Sequence, residues 1–282
     1  MSNLVDLNEH HQDFKIQDIT FSVSSRNLTS DMHVLHYLKV FYMYLNIESI
    51  ESIFGNTTFF SPLYGGRSFK LDRSINERHI SELEKLGIGL ALTMTNHYFS
   101  DEVYESSKKL FEWHHKKGNS IICTNDELAM RIRRDFPNYT IKASIIKNIN
   151  SLEKIDQAFQ IYDLITLPMD LNDDDEFLEK IRNKDRIILF GNANCAYTCP
   201  ARSCYLGFSQ KYMDKPVTSF CSKKKILRLD KGGVYFDIAK LKGMGFNQFK
   251  LIPLAHQATR SISIALGKRS ERVGSIINKG NL

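Results

Sequence analysis

Four of the chain's five cysteines fall within 27 residues, at Cys195, Cys199, Cys204 and Cys221, in the spacing C-x3-C-x4-C-x16-C. Thiolates are soft ligands, and four of them suit either a tetrahedral zinc ion or an iron–sulfur cluster. Structural zinc sites usually pair two short C-x2–4-C knuckles across a longer spacer. Here three cysteines crowd one loop and the fourth arrives from further along. That arrangement suits the larger volume of a [4Fe–4S] cube better, with zinc as the alternative. Cys123 sits inside an apolar run, Ser120–Thr124, and reads as a small core residue.

The cysteines follow a strongly apolar segment, Arg186–Phe190, that ends abruptly at Gly191-Asn192. Such a run bounded by turn residues reads as a buried strand, and seven others resemble it. They are Ile19–Ser24, Ile50–Phe54, Gly89–Thr95, Ser120–Thr124, Thr140–Ile146, Asp163–Leu167 and Gln248–Ile252. Most are rich in β-branched residues and show little alternation, as parallel strands covered on both faces do.

Helical patterns fill the gaps. Met32–Leu45 places Leu35, Leu38, Tyr42 and Leu45 on one face, and Asn76–Leu86 does the same with Ile80, Leu83 and Leu86. Glu102–His114 and Asp126–Asp135 follow, Asn150-x-x-Glu153 resembles a capping box, and Asn172–Asp175 opens a further helix over Phe177, Leu178 and Ile181. Eight strands alternating with helices favour an α/β fold, a (β/α)8 TIM-like barrel, over an open doubly wound sheet. On that reading residues 1–282 form one barrel domain, and 195–245 is a cysteine-bearing, cluster-binding insertion after the seventh strand.

In either architecture function gathers at the carboxyl ends of the strands. Those ends carry Asn96, Asn125, Asn148, Asp170 and Asn194, small polar groups suited to orienting a substrate, although Asn and Asp also cap helices in such places. The loop "SPLYGGRSFK" adds Arg67, able to hold a carboxylate or phosphate, after Gly65-Gly66, which permits close backbone approach. His97 and His256 are placed to reach the same edge, whereas His10-His11 and His114-His115 read as exposed doublets. No G-x-S-x-G, H-E-x-x-H or P-loop pattern is present.

Bulk properties narrow the setting. At 282 residues and 42% hydrophobic content the chain can bury a substantial core. No apolar run approaches the roughly 20 residues of a membrane span. The segment Met1–Glu9 lacks the features of a secretory signal, so a reducing cytoplasmic setting is expected, where clustered cysteines are metal ligands or reactive thiols rather than disulfides. Residues 222–282 hold thirteen Lys or Arg against three acids, a basic segment that either faces an anionic partner or is simply solvated.

The segment "GNANCAYTCPARSCY" resembles the N-x-x-C-x3-C-P-x-R stretch of the peptidase U32-like family. "YGGRSF", "GIGLALTMTN", "YTIKASIIKNINSLEKI", "YDLITLPMDLNDD" and "GMGFNQFKLIPLA" agree with it in order, so the likeness spans roughly residues 50–255. The resemblance implies a TIM-like barrel carrying a [4Fe–4S] cluster on four cysteines. It also implies oxygen-independent hydroxylation, or a related modification, of an RNA base or a small aromatic molecule. Cys195 and Cys199 match the signature and Cys221 corresponds to a later ligand, while Cys204 falls where relatives vary. The Gly-Arg that follows the family's last strand is replaced here by Pro253-Leu254, and Arg260 is a possible substitute. Two other functions stay open: a peptidase or other hydrolase, and a non-catalytic, metal-stapled subunit working with a protein partner.

Overall fold

A computed structural model of the chain describes residues 19–43, 45–66, 69–193, 197, 199, 203–221 and 234–253. Arg67, Asn194, Cys195, His256 and Arg260 lie outside the described residues, as do residues 1–18 and most of the basic segment 222–282.

The eight expected strands all form; the second runs one residue longer than expected, the fifth is three residues shorter and the sixth two, and the other five each lose one residue. They are β1 (Thr20–Ser24), β2 (Ile50–Gly55), β3 (Gly89–Met94), β4 (Ser120–Cys123), β5 (Thr140–Ala143), β6 (Leu164–Thr166), β7 (Ile187–Phe190) and β10 (Gln248–Leu251). Every neighbouring pair is parallel, and β1 meets β10 in the register Phe21↔Phe249 and Val23↔Leu251, which closes the ring. The chain therefore folds as a closed (β/α)8-type barrel rather than an open sheet.

Side chains alternate between two environments, as barrel strands require. Outward residues such as Val23, Ile53, Leu92, Ile121, Ile141 and Leu189 join the large apolar core under the helices. Inward residues form a much smaller apolar cluster of Phe54, Ala91 and Ile122. Elsewhere the lumen holds hydroxyls, with Ser22 Oγ hydrogen-bonded to Ser52 Oγ at 2.9 Å. Near its floor the buried Lys142 ammonium is gripped by both Glu51 carboxylate oxygens, at 2.7 and 2.9 Å.

Helices α2 (Glu77–Lys85), α3 (Asp101–His114) and α4 (Asp126–Asp135) match their apolar periodicity, and Asn76, Ser100 and Asn125 cap them. Helix α1 is Val34–Phe41, shorter than expected, and its buried face is Val34, Tyr37 and Leu38 with Leu35 left 37% exposed. The phase follows Tyr37 and Tyr42, whose hydroxyls reach the carbonyl of Ser24 at the end of β1. Helix α5 (Leu152–Ala158) is capped by Ser151 and not by Asn150. Residues Ile145–Lys147 leave the expected strand for a 3-10 turn, because Ser144 Oγ accepts from the Ile146 amide. The next expected helix divides into a 3-10 turn, Met169–Asp173, and α6 (Asp175–Lys180) capped by Asp174. His114 is buried, not exposed, and burial holds its imidazole below the ordinary value.

After β7 the chain leaves the barrel through a short strand, β8 (Asn192–Ala193), and re-enters through β9 (Val234–Tyr235). The two pair antiparallel and draw together the neck of the cysteine-bearing excursion. Between them lies α7 (Cys204–Tyr212). Beyond β9, α8 (Ile238–Gly243), the barrel helix that precedes β10, sinks Ile238 and Leu241 into the outer core. No described helix is long and apolar enough to cross a membrane.

Candidate functional site at the open end of the barrel

A cavity opens at the carboxyl ends of the strands, with about 790 Å3 of space including its open mouth. Its walls are inward side chains at successive strand ends: Phe54, Thr93, Ile122, Ser144, Phe190 and Lys250. Lys250 is 7% exposed, and its Nζ sits 4.0 Å from the centre of the Phe54 ring. A cation over an aromatic face, beside apolar walls and a few hydroxyls, suits a planar ligand with an electron-rich or anionic edge.

The glycine pair shapes the rim. Gly65 packs backbone against backbone on the end of β3, where a Cβ would stand 2.5 Å from the Thr95 carbonyl oxygen. Gly66 has φ +78° and faces Ile146 and Tyr205 across the mouth. Close approach is thus made by the protein's own strand, and it fixes the wall of the cavity. Gly65→Ala is expected to cost about 2 kcal/mol through overpacking against rigid backbone, read as a shifted denaturant midpoint at unchanged slope.

Helix α7 roofs the mouth and carries the cysteine chemistry to it. Cys204 is its first residue and the next, Tyr205, lines the cavity. Ser203 Oγ donates to the Phe220 carbonyl at 2.6 Å, and a Cβ on Gly207 would lie 2.0 Å from the Ser219 carbonyl oxygen. Those two contacts bring Cys221 back against the start of α7. Cys199 is buried at 8% exposure, and neighbouring Tyr197 ties the same loop to Asp173 through its hydroxyl. Among the described residues, no three His, Cys, Asp or Glu side chains converge on a point fit for a metal ion.

The polar strand ends occupy varied places. Asn96 is fully buried, and its Nδ2 donates to the carbonyls of Pro62 at 2.7 Å and Ser209 at 3.2 Å. Its Oδ1 accepts from the Tyr98 amide, so this side chain clamps the glycine loop to α7. Asn125 caps α4 by accepting from Leu128 N at 2.9 Å. Asn148 ends a 3-10 turn in the left-handed region, exposed, and Asp170 is exposed beside the cavity-lining Met169. None of the four is part of the cavity wall. Lys250, Phe54, Tyr205 and Arg26 are the wall residues that sequence reasoning passed over. A lysine within the apolar run Gln248–Ile252, in phase with the inward face, was the available signal for the first.

His97 Nδ1 lies 2.8 Å from Ser209 Oγ, the contact a hydrolase would need. Ser209 is fully buried, though, and its hydroxyl also reaches the Tyr205 carbonyl at 3.2 Å. Burial holds His97 below its usual pKa, so the neutral ring serves as a tether for α7.

No protein-family profile and no curated protein matches the sequence. Among solved structures, the fold is similar to that of the U32 peptidase Mk0906, with a TM-score of 0.57 over 84% of this chain and 94% of that chain. The two are 13% identical, so what they share is a fold; the name of that neighbour, a U32 peptidase, is the family that the cysteine segment resembles.

Proposed function

We propose that the chain is an iron–sulfur enzyme that modifies a planar ring, a nucleic-acid base or small aromatic molecule, by oxygen-independent hydroxylation in the mouth cavity. The observation that carries this reading is the adjacency of Cys204, at the head of α7, to Tyr205 in the cavity wall. Cys195, Cys199, Cys204 and Cys221 would hold a [4Fe–4S] cluster. The donor chemistry fits, as does the return of Cys221 to α7 through the Ser203 and Gly207 contacts. When bound, such a cluster supplies one-electron transfer at a potential set by burial and hydrogen bonds.

With water as the oxygen source, converting a ring C–H to C–OH would release two protons and two electrons, and the cluster, when bound, would relay the electrons one at a time to a separate electron acceptor such as a flavin or a quinone. This chain's own groups would position the ring. Phe54, Phe190 and Tyr205 give the wall aromatic surface, while Lys250, over the Phe54 ring, would favour negative charge developing on the ring edge.

Anaerobically purified protein should be brown and yield about four irons and four acid-labile sulfides per chain. A colourless preparation carrying one zinc contradicts the proposal. Gly207→Ala, which touches no thiolate, should lower the iron content by forcing the 219–221 segment off α7. Iron at the wild-type level in that variant would show that Cys221 is not held by this contact.

A further inference from the structure

A second cavity adjoins the first at the ends of β1 and β2, and Arg26 lines both. Its walls are Arg26, Lys70 and Arg73 with Ser25, Asn56 and Ser74, and about 680 Å3 of space opens between them and the solvent. Among the described residues no carboxylate lines it; Asp72 stands 3.9 Å from Arg73 in a loose exposed pair. Three cations and small donors around one concavity make a focused positive field. The floor is built for close approach. Gly55 has no room for a Cβ, which would meet Ser25 Oγ at 2.0 Å, and the Thr93 hydroxyl donates to Asn56 Oδ1, which leaves the amide NH2 end for a ligand.

We infer that this cavity is a phosphate subsite, and that the substrate is a planar ring carrying a phosphate. The ring enters the mouth cavity and the phosphate reaches across Arg26 to Lys70 and Arg73. Arg26 and Arg73 offer paired N–H donors that match phosphate oxygens, and Lys70 adds a point charge. This rests on the mouth cavity being the ring site, but not on iron, since phosphate binding needs no cluster.

Calorimetry on the intact chain tests it, with inorganic phosphate, phenyl phosphate and the common ribonucleoside 5′-monophosphates, each organic phosphate run against its dephosphorylated form. Lys70→Gln/Arg73→Gln should weaken inorganic phosphate by at least about tenfold, the worth of one charge-assisted hydrogen bond. At least one organic phosphate should bind the wild type tighter than its dephosphorylated form, and that advantage should vanish in the double variant. Whether phenyl phosphate or a nucleotide shows the advantage separates a small aromatic substrate from a nucleotide one. Equal phosphate affinity in the two proteins overturns the subsite. Phosphate binding with no advantage for any phosphorylated ring overturns the link between the cavities. A colourless protein that passes these tests keeps the subsite and sinks only the iron reading, and a brown one that fails does the reverse.

Discussion

Cys199→Ser is expected to strip most of the iron from the chain while the barrel stays folded. Cys199 is buried in the loop between β8 and α7, and it is not part of the apolar core that holds the helices on the barrel. Serine keeps the size and removes the soft thiolate, so the loss falls on cluster retention. Cys123→Ser provides the opposing control. Cys123 lies at the end of β4 within the outer core, where burial pushes its thiol far above the ordinary value. That substitution buries a hydroxyl among apolar neighbours and should cost on the order of 1–3 kcal/mol, with iron per chain unchanged. Iron content and thermal unfolding, measured on both variants, separate the two roles. Equal iron in wild type and Cys199→Ser would remove Cys199 from the ligand set.

Glu51→Gln should destabilise the barrel strongly without altering iron. Lys142 has 1% of its side chain exposed, and Glu51 is the carboxylate that balances its charge, itself 34% exposed. Glutamine preserves the shape and a hydrogen bond but leaves the ammonium uncompensated inside the lumen. The expected cost is about 3 kcal/mol, the low end for breaking a buried pair because water reaches one partner. For a domain of this size that corresponds to a Tm lower by roughly 6–12 °C. A double variant, Glu51→Leu with Lys142→Met, should recover most of the loss, since apolar replacement of a whole buried pair is often neutral. A single variant as stable as the wild type would show that the lysine finds other solvation.

The alternation of strands and helices was legible because its signal is strong and local. Short runs such as Ile187–Phe190 and Ser120–Cys123 are apolar on both faces, a pattern that parallel strands between helices and lumen require. Closure was not legible, since it depends on β1 pairing with β10 across 228 residues of chain, from Thr20 to Gln248. On α1 the expected face holds at Leu38, Tyr42 and Leu45 but not at Leu35, because Tyr37 is drawn inward by a hydrogen bond to Ser24, which apolar periodicity does not weigh. The polar strand ends share the barrel edge at which the cavity opens, but Asn96, Asn125, Asn148 and Asp170 are not among its lining residues. Asn96 and Asn125 meet the hydrogen-bonding needs of backbone, the commoner duty of asparagine at a strand end. Lys250 and Phe54 alternate with outward apolar residues, and in strands this short the inward face leaves little periodic trace. The basic cavity was still harder to read, since Arg26 and Arg73 are far apart in sequence and meet only after β1 and β2 pair.

Anomalous diffraction at the iron absorption edge, from crystals grown without oxygen, probes most directly whether the thiolates share one inorganic core. A single strong iron peak is expected, bounded by the sulfurs of Cys199, Cys204 and Cys221, with Cys195 completing the set, on the Tyr205 side of the barrel mouth. No iron peak at α7, or a signal at the zinc edge alone, would contradict it.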